Sequence, residues 1–215
     1  KIKPGWKIAI TAGSRGITHY DEILATVVDD VRKAGGEPFL VPAMGSHGGA
    51  TPEGQIQVLK SLGITPETVG APIHSSMEVD EIGKLDDGAP VYVDRIAFKA
   101  DGIIVVGRVK PHTDFKGKIE SGLMKMMAIG LGKQKGAEMI HWYQSEGYHK
   151  LIPEAAKLIM KKAPILLGLA IVENARHEIA MVKALEPDEI EQEEMKLLEK
   201  AKELLARLPF KDMDV

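Results

Sequence analysis

Apolar positions along the chain change period several times, and each change marks an element. Trp6–Thr11 is a short β-branched run bounded by Pro4-Gly5 and Ala12-Gly13, which predicts a strand. From Asp21 to Ala34, Ile23, Leu24, Val27, Val28 and Val31 recur at helical spacing, and Gly35-Gly36 ends the segment. Phe39–Val41 reads as the next strand. Thr51 and Pro52 suit the N-cap and first position of a helix that runs to Leu62 and stops at Gly63. Pro72–Asp94 is a smaller extended region, and Gly102–Val106 is an unbroken apolar run, as expected of a strand buried on both faces.

In the second half, Glu120–Ile129 and Lys133–Gln144 predict two short helices broken at Gly130 and Gly132. Tyr148–Ala163 predicts a longer helix whose first turn Pro153 makes irregular. Pro164 introduces the strand Ile165–Val172, Glu178–Leu185 alternates like an edge strand, and Pro187–Leu208 is an amphipathic helix with a Glu/Lys-rich solvated face. Strands alternating with helices predict an α/β fold: a mostly parallel open sheet sandwiched by helices, with its ligand site at the carboxyl ends of the strands. At 215 residues the chain is one large domain, or one with a satellite. It starts without Met and stops directly after a helix, so residues 1–215 are expected to be a fragment of a longer protein.

Composition narrows the function classes. With 44% hydrophobic and 27% charged residues the chain is neither disordered nor fibrous. A net charge of −3 gives no global basic field, so neither nucleic acid nor an anionic membrane is an expected partner. Cys is absent, which excludes disulfides, thiolate metal sites and cysteine nucleophiles, and fits a reducing cytoplasm. No apolar run approaches the roughly 18–20 residues of a membrane span.

The loops that leave the predicted strands carry the candidate chemistry. They are Ala12-Gly13-Ser14-Arg15-Gly16, the stretch Pro42–Thr51 with Gly45-Ser46-His47, and Gly107–Lys118 with Arg108, Lys110 and His112. Each glycine alone is a turn maker, and each basic residue alone is an ordinary solvated side chain. Gathered at one sheet edge, they predict a site for a small anionic ligand, with backbone N–H groups at helix starts adding to the attraction. Lys125 sits among apolar neighbours. If buried it loses its proton readily and becomes nucleophilic, and if not it covers apolar surface with its stem. His141, in Ile140-His141-Trp142-Tyr143, is a metal-ligand candidate or an interface histidine. There is no HExxH, P-loop or GxSxG motif.

These residues together resemble the amino-terminal, cofactor-carrying domain of the nickel-dependent lactate racemase family. The likeness rests on Gly45-Ser46-His47 with Thr51, Pro111-His112, Ser121-Gly122 with Lys125, and His141 sixteen residues beyond Lys125. The resemblance implies a nickel-pincer nucleotide held near Ser121 and Gly122 and tethered to or near Lys125, with His141 as nickel ligand. It implies His47 and His112 as acid/base residues on opposite faces of a small 2-hydroxy acid, Arg15 on the substrate carboxylate, and cofactor-maturation proteins as partners. Ala12 and Gly16 depart from the family pattern, which has an acidic residue before the arginine and a proline after it. Two other functions stay open on the residues themselves. One is a non-catalytic phosphate- or nucleotide-binding module. The other is a divalent-metal hydrolase using His47, His112 and His141, for which Asp114 is the one nearby carboxylate ligand.

Overall fold

The computed structural model describes residues 2–143 and 147–206. Five strands form the main sheet: β1 (Lys7–Ala12), β2 (Glu37–Pro42), β5 (Gly102–Arg108), β6 (Ile165–Glu173) and β7 (Ile179–Leu185), in the order β2-β1-β5-β6-β7. The first four pair in parallel, while β7 runs antiparallel to β6 along the edge. The sequence pattern explains this, because the parallel strands are apolar on both faces whereas β7 alternates. Between them lies a separate antiparallel hairpin, β3 (Val79–Lys84) with β4 (Pro90–Asp94). The sequence predicts only an extended region there; the hairpin turns through Leu85–Gly88, closed by the Gly88 N–H donating to the Leu85 carbonyl at 2.9 Å, with Gly88 in the left-handed region that such a loop requires.

Helices cover both faces. Against one face, α1 (Tyr20–Lys33) and α2 (Pro52–Ser61) bury Leu24, Val28, Val31 and Leu59 on Ile8, Ile10, Leu40, Ile104 and Val106. The short α3 (Pro66–Val69) follows on this side, and α4 (Arg95–Phe98) leads into β5. Against the other face, Ala9, Val41, Ile103 and Val105 meet α5 (Leu123–Lys125), α6 (Lys133–Trp142), α7 (Ile152–Lys162) and α8 (Ile190–Leu204). The mostly parallel, helix-sandwiched sheet is therefore as expected.

Local departures have local causes. The helix expected over Glu120–Ile129 starts only at Leu123 and after Lys125 widens into a π-turn, Met126–Leu131. There Gly130 passes against the loop after β2, where a Cβ would lie 2.7 Å from the Ala43 carbonyl. The irregularity near Pro153 is a π-turn at Gly147–Leu151, and Pro153 then occupies the first turn of α7, where its missing N–H costs nothing. The part of the final helix expected beyond Ala206 lies outside the described residues, as does Gln144. Among the described residues no helix is long and apolar enough to cross a membrane.

Candidate active site

The loops after β1, β2 and β5 meet where the strand order reverses, with β2 on one side of β1 and β5 on the other. Open α/β sheets place ligands at such a point. A cavity of about 340 Å³ opens there, with Arg15, His47, Arg108, Lys110, His112, Ser121, Gly122 and Lys125 in its wall. Six of the seven residues singled out from the sequence are thus brought together. His141 is the exception: it is exposed on α6, and its ring lies 5.8 Å from that of Tyr148. Tyr148 stacks on Phe115 at 4.7 Å and lies 6.3 Å from the His112 ring, so aromatic rings stand between His141 and the cavity wall.

Hydrogen bonds give the two cavity histidines opposite tautomers. His47 Nδ1 lies 2.8 Å from the Met44 carbonyl oxygen. A carbonyl only accepts, so Nδ1 carries the hydrogen and Nε2 of the neutral ring keeps a lone pair. At His112 the Asp114 backbone N–H donates to Nδ1 at 3.1 Å, so the neutral ring carries its hydrogen on Nε2. Burial, followed by the Lys125 charge, pushes the His112 pKa down and favours that neutral ring.

The His112 loop is pinned from below by Glu120, which is buried. Its carboxylate accepts the His112 N–H at 2.7 Å and the Gly117 N–H at 3.2 Å, and it lies 3.3 Å from Lys202 Nζ on α8. Burial pushes its pKa up, but these backbone donors and Lys202 outweigh it and hold the carboxyl below its ordinary value. On the β1 side, Gly13 N–H donates to Tyr20 Oη at 2.8 Å, and burial pushes that phenol up to about 12. Ala12 itself is enclosed at the end of β1. The carboxylate at this loop comes from β6 instead: Glu173 accepts the Thr18 N–H at 2.8 Å and is ion-paired with Arg108.

Lys125 is half-buried, with Nζ 5.7 Å from the centre of the Phe115 ring. Burial, then Arg15, lowers its pKa to about 8, with Lys110 acting the same way and Asp114 opposing. Lys110 is likewise pushed down by burial, Arg108 and Arg15. Arg15, Lys110 and Lys125 thus crowd a partly enclosed cavity beside Arg108, whose charge Glu173 offsets, and anionic charge relieves their mutual repulsion. The backbone before Lys125 is held by Glu194 on α8, whose carboxylate accepts the Met124 N–H at 3.0 Å. Gly122 leaves room for that carboxylate, since a Cβ there would lie 2.4 Å from Glu194 Oε1.

Glu120, Glu173 and Glu194 went unread in the sequence. A signal existed for Glu194, because Ile190, Glu194, Leu197, Leu198 and Ala201 share the buried stripe of an otherwise charged helix. Nothing in the sequence separates Glu120 or Glu173 from the other acidic residues.

A model of the lactate racemase N-terminal domain family matches residues 3–146 of this sequence. No curated protein sequence matches it. Seven solved chains do, among them the lactate racemase apoprotein from Thermoanaerobacterium thermosaccharolyticum, with a TM-score of 0.68 and 18% identity. That match covers 89% of this chain and 48% of the other, so the chain spans about half the length of the structure it resembles. At this identity the likeness is one of fold.

Proposed function

Because this chain belongs to the lactate racemase N-terminal domain family, we propose that it is the cofactor-carrying half of a racemase or epimerase of small 2-hydroxy acids. The observation that carries the reading is one cavity holding a lysine with a pKa of about 8 beside two histidines of opposite tautomer. Inverting C2 of a hydroxy acid needs a base on one face and an acid on the other, and a single histidine supplies only one of these. His47, with its free Nε2 lone pair, accepts the hydroxyl proton. His112, neutral with its hydrogen on Nε2, donates a hydrogen bond to the keto oxygen that forms, and serves as the acid of the return step only once it has itself taken up a proton. Its depressed pKa keeps it from adding a further positive charge to the cavity. Arg15 pairs with the substrate carboxylate, for which its guanidinium offers two parallel donors.

The residues present fit a tethered anionic nucleotide. Lys125 is an amine that is substantially neutral near pH 8, as covalent attachment requires. Lys110 supplies counter-charge for a phosphate, Arg108 being already paired with Glu173, and Ser121 and Gly122 line the wall beside the lysine. When bound, a nickel-pincer nucleotide would supply the hydride acceptor that exchange at C2 needs; His141, the imidazole the resemblance gives to its metal, stands outside the cavity wall beside Tyr148, so this part of the fit is not met by its present position. The same cations also favour a plainer role as a phosphate- or nucleotide-binding module, and the test separates the two.

The test is intact-mass and nickel analysis of the longest native form of the protein, co-expressed with cofactor-maturation proteins, beside a Lys125→Ala control. A lysine-dependent mass increase with about one nickel per chain is the expected result. Neither adduct nor nickel would overturn the reading in favour of the binding module.

A further inference from the structure

Beneath the His47 loop lies a fully buried polar chain that the proposed reaction does not use. Lys133, Asp94 and Gln55 are each 0% exposed. Lys133 Nζ forms an ion pair with Asp94 Oδ2 at 3.1 Å, donates to the Pro42 carbonyl at 2.5 Å, and donates to Gln55 Oε1 at 3.0 Å. Gln55 Nε2 then donates to the carbonyls of Gly45 at 2.9 Å and His47 at 3.3 Å. Lys133 carries two penalties at once: a buried ammonium, and a left-handed backbone with φ of +53°. An apolar side chain on an ordinary backbone would avoid both, so stability alone does not account for the network.

Its geometry says what that is. An ammonium only donates, so Lys133 compels Gln55 to turn its amide oxygen inward and its amide nitrogen toward the loop. The carbonyls of Pro42, Gly45 and His47 are thereby gripped on both sides of Met44. That leaves the Met44 carbonyl as the acceptor for both the His47 N–H, at 3.2 Å, and His47 Nδ1. We infer that Lys133, acting through Gln55, is a positioning residue that fixes the tautomer of His47 and so keeps Nε2 as the proton-accepting nitrogen. The inference rests on the reading of His47 as an acid/base residue, but its test does not depend on turnover.

The experiment is ¹⁵N NMR of the histidine-labelled chain at a pH where the rings are neutral, with His47→Asn used to assign resonances. In the parent chain His47 should show a protonated-type Nδ1 and an unprotonated-type Nε2. In Gln55→Met, which leaves Lys133 its Asp94 and Pro42 partners, both signals should move toward the Nε2–H form that free histidine prefers in water. The His112 signals should stay in place. Gln55→Glu, which keeps an oxygen for Lys133 but removes the donor to the loop carbonyls, should give the same displacement. A folded Gln55 variant with unmoved His47 signals would overturn the inference. So would a parent chain already in the Nε2–H form, or a collapse of amide chemical-shift dispersion in the Gln55 variants, which would mean general loosening. If His47→Asn in the cofactor-loaded protein kept full activity, the catalytic reading would fall while the NMR result stood.

Discussion

Replacing Glu194 with glutamine should stabilise the protein, and by an amount that depends on pH. Glu194 is 1% exposed on α8, faces the amino end of the helix carrying Lys125, and has one oxygen, Oε1, without a hydrogen-bond partner among the described residues. Burial pushes its pKa from 4.5 up to about 7, and the backbone N–H groups of Met124 and Leu123 pull it back only in part. Between those two values the unfolded chain releases a proton that the folded chain keeps. The contribution of Glu194 to stability is therefore full below about pH 4.5, falls as pH rises to about 7, and is flat above. At roughly 1.4 kcal/mol per pH unit over that interval, the loss approaches about 3 kcal/mol. Glutamine is near-isosteric with the protonated acid, still accepts from Met124 N–H, and does not titrate. Urea unfolding of both proteins from pH 4.5 to 8 should show no difference at the acid end. At the alkaline end the Glu194→Gln protein should be more stable by about 3 kcal/mol, with unchanged m-values. A difference that stays constant with pH would refute the argument, as would a parent protein that is the more stable one at pH 8.

Two further outcomes concern the cavity wall. Lys125 should react with a small acylating reagent with a midpoint near pH 8, followed by mass spectrometry of the modified peptide, and Arg15→Gln should move that midpoint upward; a midpoint near 10.5 would show that the lysine is not enclosed as described. Glu173→Gln strands the Arg108 guanidinium, in a pair whose side chains are only 15% and 6% exposed, and should cost about 3 kcal/mol in urea unfolding. A cost under about 1 kcal/mol would mean that water reaches the pair.

Much of this architecture is legible along the chain because it depends on period. The stripe Leu24, Val28, Val31 and the unbroken run of β5 each report which faces are covered, and parallel strands oblige their carboxyl-end loops to share one edge. That is why Arg15, His47 and His112 can be placed together from the sequence. What escapes is whatever depends on contacts between distant segments. Lys133 follows Gly132 in a stretch that reads as an ordinary helix start, and nothing local shows that its side chain turns inward to meet Asp94 and Gln55. The exposure of His141 is different in kind, since it shares the polar face of α6 with Gln134 and Glu138 at helical spacing. Glu194 and Gln55 are intermediate cases. Each is a polar residue at an apolar position of its helix, which the pattern discloses without naming the partner.

The seat of β5 between β1 and β6 has a consequence for synthesis. The family-matched segment ends at residue 146, but the strand that covers one edge of β5, Ile165–Glu173, comes later. Arg108 and its partner Glu173 are separated by 65 residues. At roughly 5–20 residues per second, a ribosome needs about 3–13 seconds to deliver β6 after β5 has emerged. Throughout that interval a strand buried at six of its seven positions in the finished sheet presents an open row of backbone donors and acceptors, the form in which strands associate with the wrong neighbour. A chain cut at residue 146 stays in that condition permanently. The unit that sequence comparison recognises is therefore smaller than the unit that can fold, and expression of the shorter piece should give aggregate where the longer one gives a stable domain.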